Sequence, residues 1–439
     1  MQFRRPGSLV PDRSDQVVDG RAAAGSAARP RRPHRVAAVV AAATALPLVA
    51  ALPASAATVT VPKAYFGMHQ SSVSSGVFPG APVGAVRLWD VGAQWRDVEP
   101  SRGTWDFTKL DRAVTTSRAK GAQPMIVLGQ TPTWAASKPS LAGPYGPGAA
   151  SMPRSITYWR EYVTKVAQRY KGRVRAYQIW NEPNVETFWT GTAAQMVTLT
   201  REARAIIKRY DRNATVVSPG FATRRPTNIP WMSSYFRAGG GKYVDVVALH
   251  LYPAPTAGPE GSITLLNKAK QALKKARVSK PIWNTEINYG AGYNGAPPRA
   301  YADSTAAAYV SRTLLLNASN GVSRVFWYGW DTRGFLGIDL SRQSRQTRAG
   351  QAYRITQKWM QGARLQSCTV DSRRTYTCVL RYSSRSYAKV IWNPSRAIRV
   401  RTTKYTTGVE FVNGRVLRFR GARNQTVIAS PVLIRSTRV

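Results

Sequence analysis

The chain has 439 residues, 43% hydrophobic and 10% aromatic, which is enough apolar surface to bury at least one large core and excludes a disordered chain. Its charge is lopsided: 64 Lys and Arg stand against 21 Asp and Glu, a formal +43. Such a field attracts anions, yet the basic residues are scattered singly with no nucleic-acid-reading module, so a generally basic surface is expected rather than a specific nucleic-acid site.

Residues 1–57 read as an export leader. Arg29, Arg31, Arg32 and Arg35 precede an Ala-rich apolar stretch over residues 36–52, and Ala54-Ser55-Ala56 supplies the small-residue pattern of a signal-peptidase site. The expectation is a secreted protein, extracellular or associated with the cell wall, with no stable membrane insertion after cleavage. The competing reading, an uncleaved anchor, has only a barely sufficient apolar run, with Pro47 inside it and Pro53 directly after it.

From residue 58 to 362, β-like runs alternate with helical patterns. The apolar runs cover residues 64–67, 85–89, 124–128, 176–180, 215–218, 244–249, 281–284 and 324–328. Periodicity near 3.6 appears between them, for example over 156–170, 193–210, 263–276 and 302–317. Eight such units at about 37 residues each predict an α/β fold, a (β/α)8 TIM barrel. A doubly wound open sheet is the structural rival, and no nucleotide fingerprint supports it.

Two carboxylates end strand runs. Glu182 lies in Ile179-Trp180-Asn181-Glu182-Pro183-Asn184 and Glu286 in Pro281-Ile282-Trp283-Asn284-Thr285-Glu286, at the ends of the fourth and seventh runs. Barrel enzymes place reacting groups at C-terminal strand ends, and closure sets these two strands nearly opposite. Two carboxyl groups facing one sugar can cut a glycosidic bond with retention, one protonating the leaving oxygen and the other attacking the anomeric carbon. Three His without Cys-x-x-Cys offer no metal-ligand cluster, and no phosphate loop stands out, so no metal and no cofactor are expected.

Around these glutamates, Tyr158-Trp159-Arg160-Glu161-Tyr162-Val163, leading through Arg169-Tyr170-Lys171-Gly172-Arg173-Val174 into Trp180-Asn181-Glu182-Pro183-Asn184, resembles the retaining glycoside hydrolases of clan A, nearest to family 39 and the related family 5. Trp95-Arg96-Asp97-Val98-Glu99-Pro100 with Gly103-Thr104-Trp105-Asp106-Phe107, Thr131-Pro132-Thr133-Trp134-Ala135 and His250-Leu251-Tyr252-Pro253 are similar to the loops after the second, third and sixth strands. The resemblance implies Glu182 as acid/base and Glu286 as nucleophile, with the neighbouring ionised carboxylate raising the pKa of Glu182. It further implies Asn181 as a ligand of the sugar 2-hydroxyl, Arg87 as the cation that keeps the nucleophile ionised, Tyr252 as a donor to Glu286, and His250 near the acid/base. Trp327 or Trp330 would form the platform under the sugar, with Asn184, Trp189, Trp134, Trp89 and Tyr289 as candidates for further subsites.

Residues 363–439 change character. Short alternating runs, with Asn413-Gly414 as a hairpin turn, predict a small C-terminal all-β sandwich. Cys368 and Cys378 are expected to form a disulfide clamping a hairpin. The functional expectation is a secreted retaining glycosidase acting on a poly- or oligosaccharide, with an anionic polysaccharide or cell wall as a further expected partner. The alternative is a catalytically silent barrel that binds an anionic glycan or wall polymer.

Overall fold

The protein was studied as a computed structural model, which describes residues 59–290, 292, 299–330 and 336–438. The expected leader lies outside the described residues. Eight parallel strands close into a barrel: β1 Phe66–Met68, β2 Ala85–Leu88, β3 Gln123–Leu128, β4 Ala176–Ile179, β5 Thr215–Ala222, β6 Val246–His250, β7 Ile282–Ile287 and β8 Val322–Trp327. The ring is sealed where Phe66, Gly67 and Met68 pair with Val325, Phe326 and Trp327. Seven helices follow strands β2 to β8 in turn: α1 Thr108–Ala119, α2 Ile156–Arg169, α3 Ala193–Tyr210, α4 Asn228–Arg237, α5 Gly258–Lys275, α6 Asp303–Ser319 and α7 Arg348–Met360. After β1 the connection holds only a 3-10 turn, Ser71–Ser75, whose serines compete with helical bonding through their hydroxyls.

Strand alternation builds the barrel interior in tiers. Ala85, Met125, Ala176, Val217, Ala248, Trp283 and Phe326 belong to one buried apolar cluster. Two residues further along their strands, Arg87, Gln178 and His250 repeat the same inward facing one tier higher, at the C-terminal mouth. On β7 the register shifts between Asn284 and Ile287, so successive side chains, Thr285 and Glu286, both bond into that mouth.

The C-terminal region forms a seven-stranded antiparallel sheet and a two-stranded partner. Its strands are β9 Arg364–Val370, β10 Tyr376–Ser383, β11 Ser386–Trp392, β12 Ile398–Arg401, β13 Thr406–Phe411, β14 Val416–Arg418, β15 Asn424–Val427 and β16 Val432–Ser436. Cys368 and Cys378 face each other across β9 and β10 and are disulfide-bonded. The large sheet takes its edge strand from ahead of the barrel, since Val59 and Thr60 pair with Leu365 and Arg364.

One face of this sheet is continuous with the core around the barrel: Ala388, Val390, Trp392 and Leu433 share a buried cluster with Trp359 of α7. Ile391, Val432 and Ile434, on the opposite face, pack against Ile398, Val400 and Val427 of the two-stranded partner. Trp359 also donates its indole N–H to Glu410, 2.9 Å away, and Glu410 accepts from Arg435 at 2.5 Å. Trp359→Ala removes a fully buried indole from the shared core and is expected to cost about 3–5 kcal/mol. Scanning calorimetry should show the main unfolding transition of the barrel lowered; a loss confined to a separate small transition would contradict a shared core.

Candidate active site

The mouth of the barrel is organised by one cation. Arg87 on β2 has no solvent exposure, and a buried guanidinium is tolerated only when its donors are matched. Its Nε donates to Gln178 Oε1 at 2.6 Å, one terminal nitrogen to His69 Nε2 at 2.8 Å and to Glu286 Oε1, and the other to Asn181 Oδ1 at 2.7 Å. A guanidinium only donates, so these contacts fix what they touch. His69 must accept at Nε2 and carries its proton on Nδ1; burial, with Arg87 beside it, keeps that ring neutral by holding its pKa well below normal. Asn181 must present its oxygen to Arg87, which leaves its NH2 group as the free donor toward the cleft.

Glu182 is delivered by a tight turn. Trp180 and Glu182 have φ of 70° and 43°, left-handed values that cost of order 1–3 kcal/mol each for ordinary residues. Backbone bonds hold this conformation: Trp180 N–H to Leu128 O at 2.8 Å and Glu182 N–H to Gly220 O at 2.9 Å. Gly129 makes room for the Trp180 ring, because a Cβ there would sit 2.7 Å from it. The indole N–H then reaches Phe188 O at 2.8 Å.

The two carboxylates meet over His250. Its Nδ1 lies 2.8 Å from Glu182 Oε1 and 3.4 Å from Glu286 Oε2, and carboxylate oxygens of the two glutamates come within 4.8 Å of each other. Tyr252 donates its O–H to Glu286 Oε2 at 3.0 Å. Gly220 lets the imidazole sit where it does, since a Cβ would stand 2.4 Å from Nε2. That Nε2 is buried without a partner, and burial pushes the His250 pKa down to about 3. The neutral ring therefore carries its proton on Nδ1, facing the carboxylates.

Burial pushes the Glu182 pKa up to about 7, against the opposing pull of Arg87, Arg224 and Arg225. Desolvation thus supplies the shift that the sequence reading assigned to a neighbouring negative charge. Burial raises Glu286 as well, opposed by His250 and Arg87. Glu286 receives two strong donors, Arg87 and Tyr252, which favour its anion, whereas Glu182 receives one from a neutral ring. The shared proton accordingly belongs on Glu182. Glu182, His250 and Glu286 bring donor atoms close enough for a cation, but the fixed charge of Arg87 beside Glu286 suits proton transfer better.

Other expected residues lie elsewhere. Asn184 is a clasp between loops: its side chain donates to Ala222 O and Asn228 O and accepts from Ala222 N–H, leaving nothing for a substrate. Trp189 packs edge-on against Trp180 and is 2% exposed, and Trp134 packs with Trp95 and Tyr158 while bonding Glu99 O. Trp327 has no exposed surface and lies against Tyr289, so it offers no open face. Of the two platform candidates only Trp330 keeps any exposure, 7%, with its backbone N–H on His69 O. Trp89 and Tyr289 are buried as well.

Residues that the sequence reading passed over complete the mouth. Besides His69 and Gln178, Asp90 accepts from Tyr145 Oη at 2.7 Å and from Tyr328 Oη, forming a second carboxylate wall. Tyr328 stacks obliquely on His69, with ring centroids 4.4 Å apart. Asp90 lies two residues past the end of β2 and Tyr328 directly after β8, and those positions at strand ends were the signal available.

Residues 154–353 match the glycosyl hydrolase catalytic core family model. A β-xylosidase of Geobacillus stearothermophilus is 28% identical over 176 residues, 37% of this chain and 34% of that protein, so the aligned stretch spans about a third of the relative. A family 39 glycoside hydrolase from Bacteroides cellulosilyticus WH2 superposes with a TM-score of 0.62 at 17% identity, covering 86% of this chain and 81% of its own. The GH39 enzyme of Xanthomonas axonopodis pv. citri gives 0.64 at 14% identity, covering 87% and 96%. At such identities the structural likeness speaks for the fold. Taken with the family match over residues 154–353, it makes this barrel similar to the glycosyl hydrolase catalytic core. Both of these solved neighbours are family 39 enzymes.

A native pKa near 7 for Glu182, against about 4.3 in an unfolded chain, means the folded state binds this proton more tightly. The stability it supplies is complete below about pH 4.3 and is lost as pH rises through 7, amounting to about 4 kcal/mol. Glu182→Gln should therefore be more stable than wild type at pH 8 and not at pH 4, read as the midpoint of thermal unfolding; parallel pH profiles for the two proteins would contradict the assignment.

Proposed function

We propose that this protein hydrolyses O-glycosidic bonds with retention of configuration, by double displacement. The observation that carries the reading is the approach of an oxygen of Glu182 to within 4.8 Å of one of Glu286, which accords with the short carboxyl spacing of retaining enzymes. Glu286, anionic under Arg87 and Tyr252, attacks the anomeric carbon. Glu182 gives its proton to the departing oxygen. Because Oε1 accepts from His250, that proton rides on Oε2. Once Glu286 is esterified its charge is gone, and Glu182, now anionic, takes a proton from the water that releases the sugar.

Asn181 extends its NH2 to the 2-hydroxyl, an interaction that strengthens as oxocarbenium character develops. Asp90, already holding two tyrosine hydroxyls, supplies a further acceptor for sugar hydroxyls. The substrate class is a β-linked or configurationally equivalent sugar within a poly- or oligosaccharide. Xylosides head the candidates because the matched curated relative is a β-xylosidase. Secretion accords with the leader pattern, and an anionic polysaccharide or cell wall accords with the +43 charge.

On a panel of aryl glycosides, Glu182→Gln should lower kcat/KM about 10²–10⁴-fold and Glu286→Gln should leave no measurable turnover. Proton NMR should find the substrate's own anomer released first; the opposite anomer, or an inactive wild type that still binds glycan, would end this reading. The profile of kcat/KM against pH should fall with an apparent pKa near 7, since only protonated Glu182 can act as acid. That limb should vanish in Glu182→Ala assayed with a leaving group needing no protonation.

A further inference from the structure

Beside the catalytic mouth, α4 and α5 leave a groove of about 630 Å3 between them. Its walls carry Arg224, Arg225, Arg237, Lys268 and Lys275, and no carboxylate lines it. Arg225, Arg237, Lys268 and Lys275 are exposed, and none of them enters an ion pair among the described residues. A second basic cavity, about 430 Å3 and lined by Lys270, Lys274, Arg277 and Lys280, begins where β7 enters the barrel, at the end away from the glutamates.

The position of the larger groove sets it apart from that second patch. Its upper end is Thr223, whose hydroxyl donates to His250 O at 2.7 Å, so the groove starts one hydrogen bond from the catalytic histidine. Arg224 reaches from the groove wall across to Pro253 O and Gly292 O, at 3.5 and 3.4 Å, on the loops after β6 and β7. Arg224 and Arg225 are also near enough to Glu182 to act on its charge. The loop after β5 is therefore a shared rim, with the cleft on one side and the groove on the other.

We propose that this groove binds a segment of an anionic polysaccharide whose adjoining sugars lie in the catalytic cleft. The proposal rests on the glycosidase reading and names the charge class of its polymer. Ile229, Pro226, Pro230, Leu265 and Ala272 supply small apolar surfaces for sugar C–H faces between the cations. The lining holds no aromatic ring, the element on which single-stranded nucleic acid stacks its bases. Two packed helices, with axes about 8–10 Å apart, leave a channel for one chain rather than a duplex.

The test is titration of the full chain with fluorescently labelled polygalacturonate, a neutral xylan fragment of similar length and a single-stranded DNA oligomer, each at two salt concentrations. Wild type should bind the polyuronate at least tenfold more tightly than the other two, with affinity falling as salt rises. Arg237→Gln, Lys268→Gln and Lys275→Gln together should weaken polyuronate binding at least tenfold and flatten its salt dependence, while turnover of a small aryl glycoside stays at the wild-type value. The matched triple Lys270→Gln, Lys274→Gln and Lys280→Gln should bind as wild type. Equal loss in both triples, or DNA binding as tight as polyuronate, would overturn the proposal. Should no aryl glycoside be turned over while the groove variants still lose polyuronate, the catalytic reading fails and the groove stands.

Discussion

A buried positive charge with four partners from four other places in the barrel sets the arrangement of this site. Arg87 cannot be solvated by water where it sits, so Gln178, His69, Asn181 and Glu286 are drawn to it from β4, the end of β1, the turn after β4, and β7. Each partner is then fixed in orientation or ionisation, because the guanidinium accepts nothing. Loss of one partner would leave an uncompensated buried charge, far costlier than loss of an ordinary hydrogen bond. The same fork that stabilises an anion on Glu286 also turns the Asn181 amide, so the charge of one group and the orientation of the other arise from one side chain.

The remaining electrostatics divide the labour between two chemically identical groups. Both glutamates are raised by burial, and the difference between them comes from the donors each receives. Glu286 has a cation and a phenol; Glu182 has a neutral imidazole whose other nitrogen finds no partner. An orphaned ring nitrogen is a cost of order 1–3 kcal/mol that a structure selected for stability alone would avoid. The left-handed turn at Trp180 and Glu182 adds a similar burden. The turn and the orphaned nitrogen both lie beside Glu182, at the barrel mouth.

Much of the architecture could be read from residues alone because barrel strands are buried on both faces and appear as apolar runs; all eight runs coincide with observed strands to within a few residues. Helix α3 coincides with its periodic segment, whereas α5 begins earlier, at Gly258, where Pro259 occupies a first-turn position that periodicity does not register. Pro230 similarly sits in the first turn of α4, where it reads as a breaker. The two glutamates were legible because each closes a strand run. His69, Asp90, Tyr145 and Tyr328 were not, since each is a lone polar residue whose meaning depends on neighbours dozens or hundreds of positions away. Tryptophan was the least legible type: Trp189 and Trp327 are buried and Trp134 is partly so, because an indole suits a core as well as a sugar.

The pairing of Val59 and Thr60 with Arg364 and Leu365 ties the start of the described chain to the far side of the barrel. These two residues leave the ribosome about 300 positions before their partner strand exists, a separation at the slow, non-local extreme of folding topology. The sheet edge they complete must wait until every barrel unit has been synthesised. The molecule is in this sense buckled shut by a segment that precedes the barrel in the chain yet is the last to find its partner.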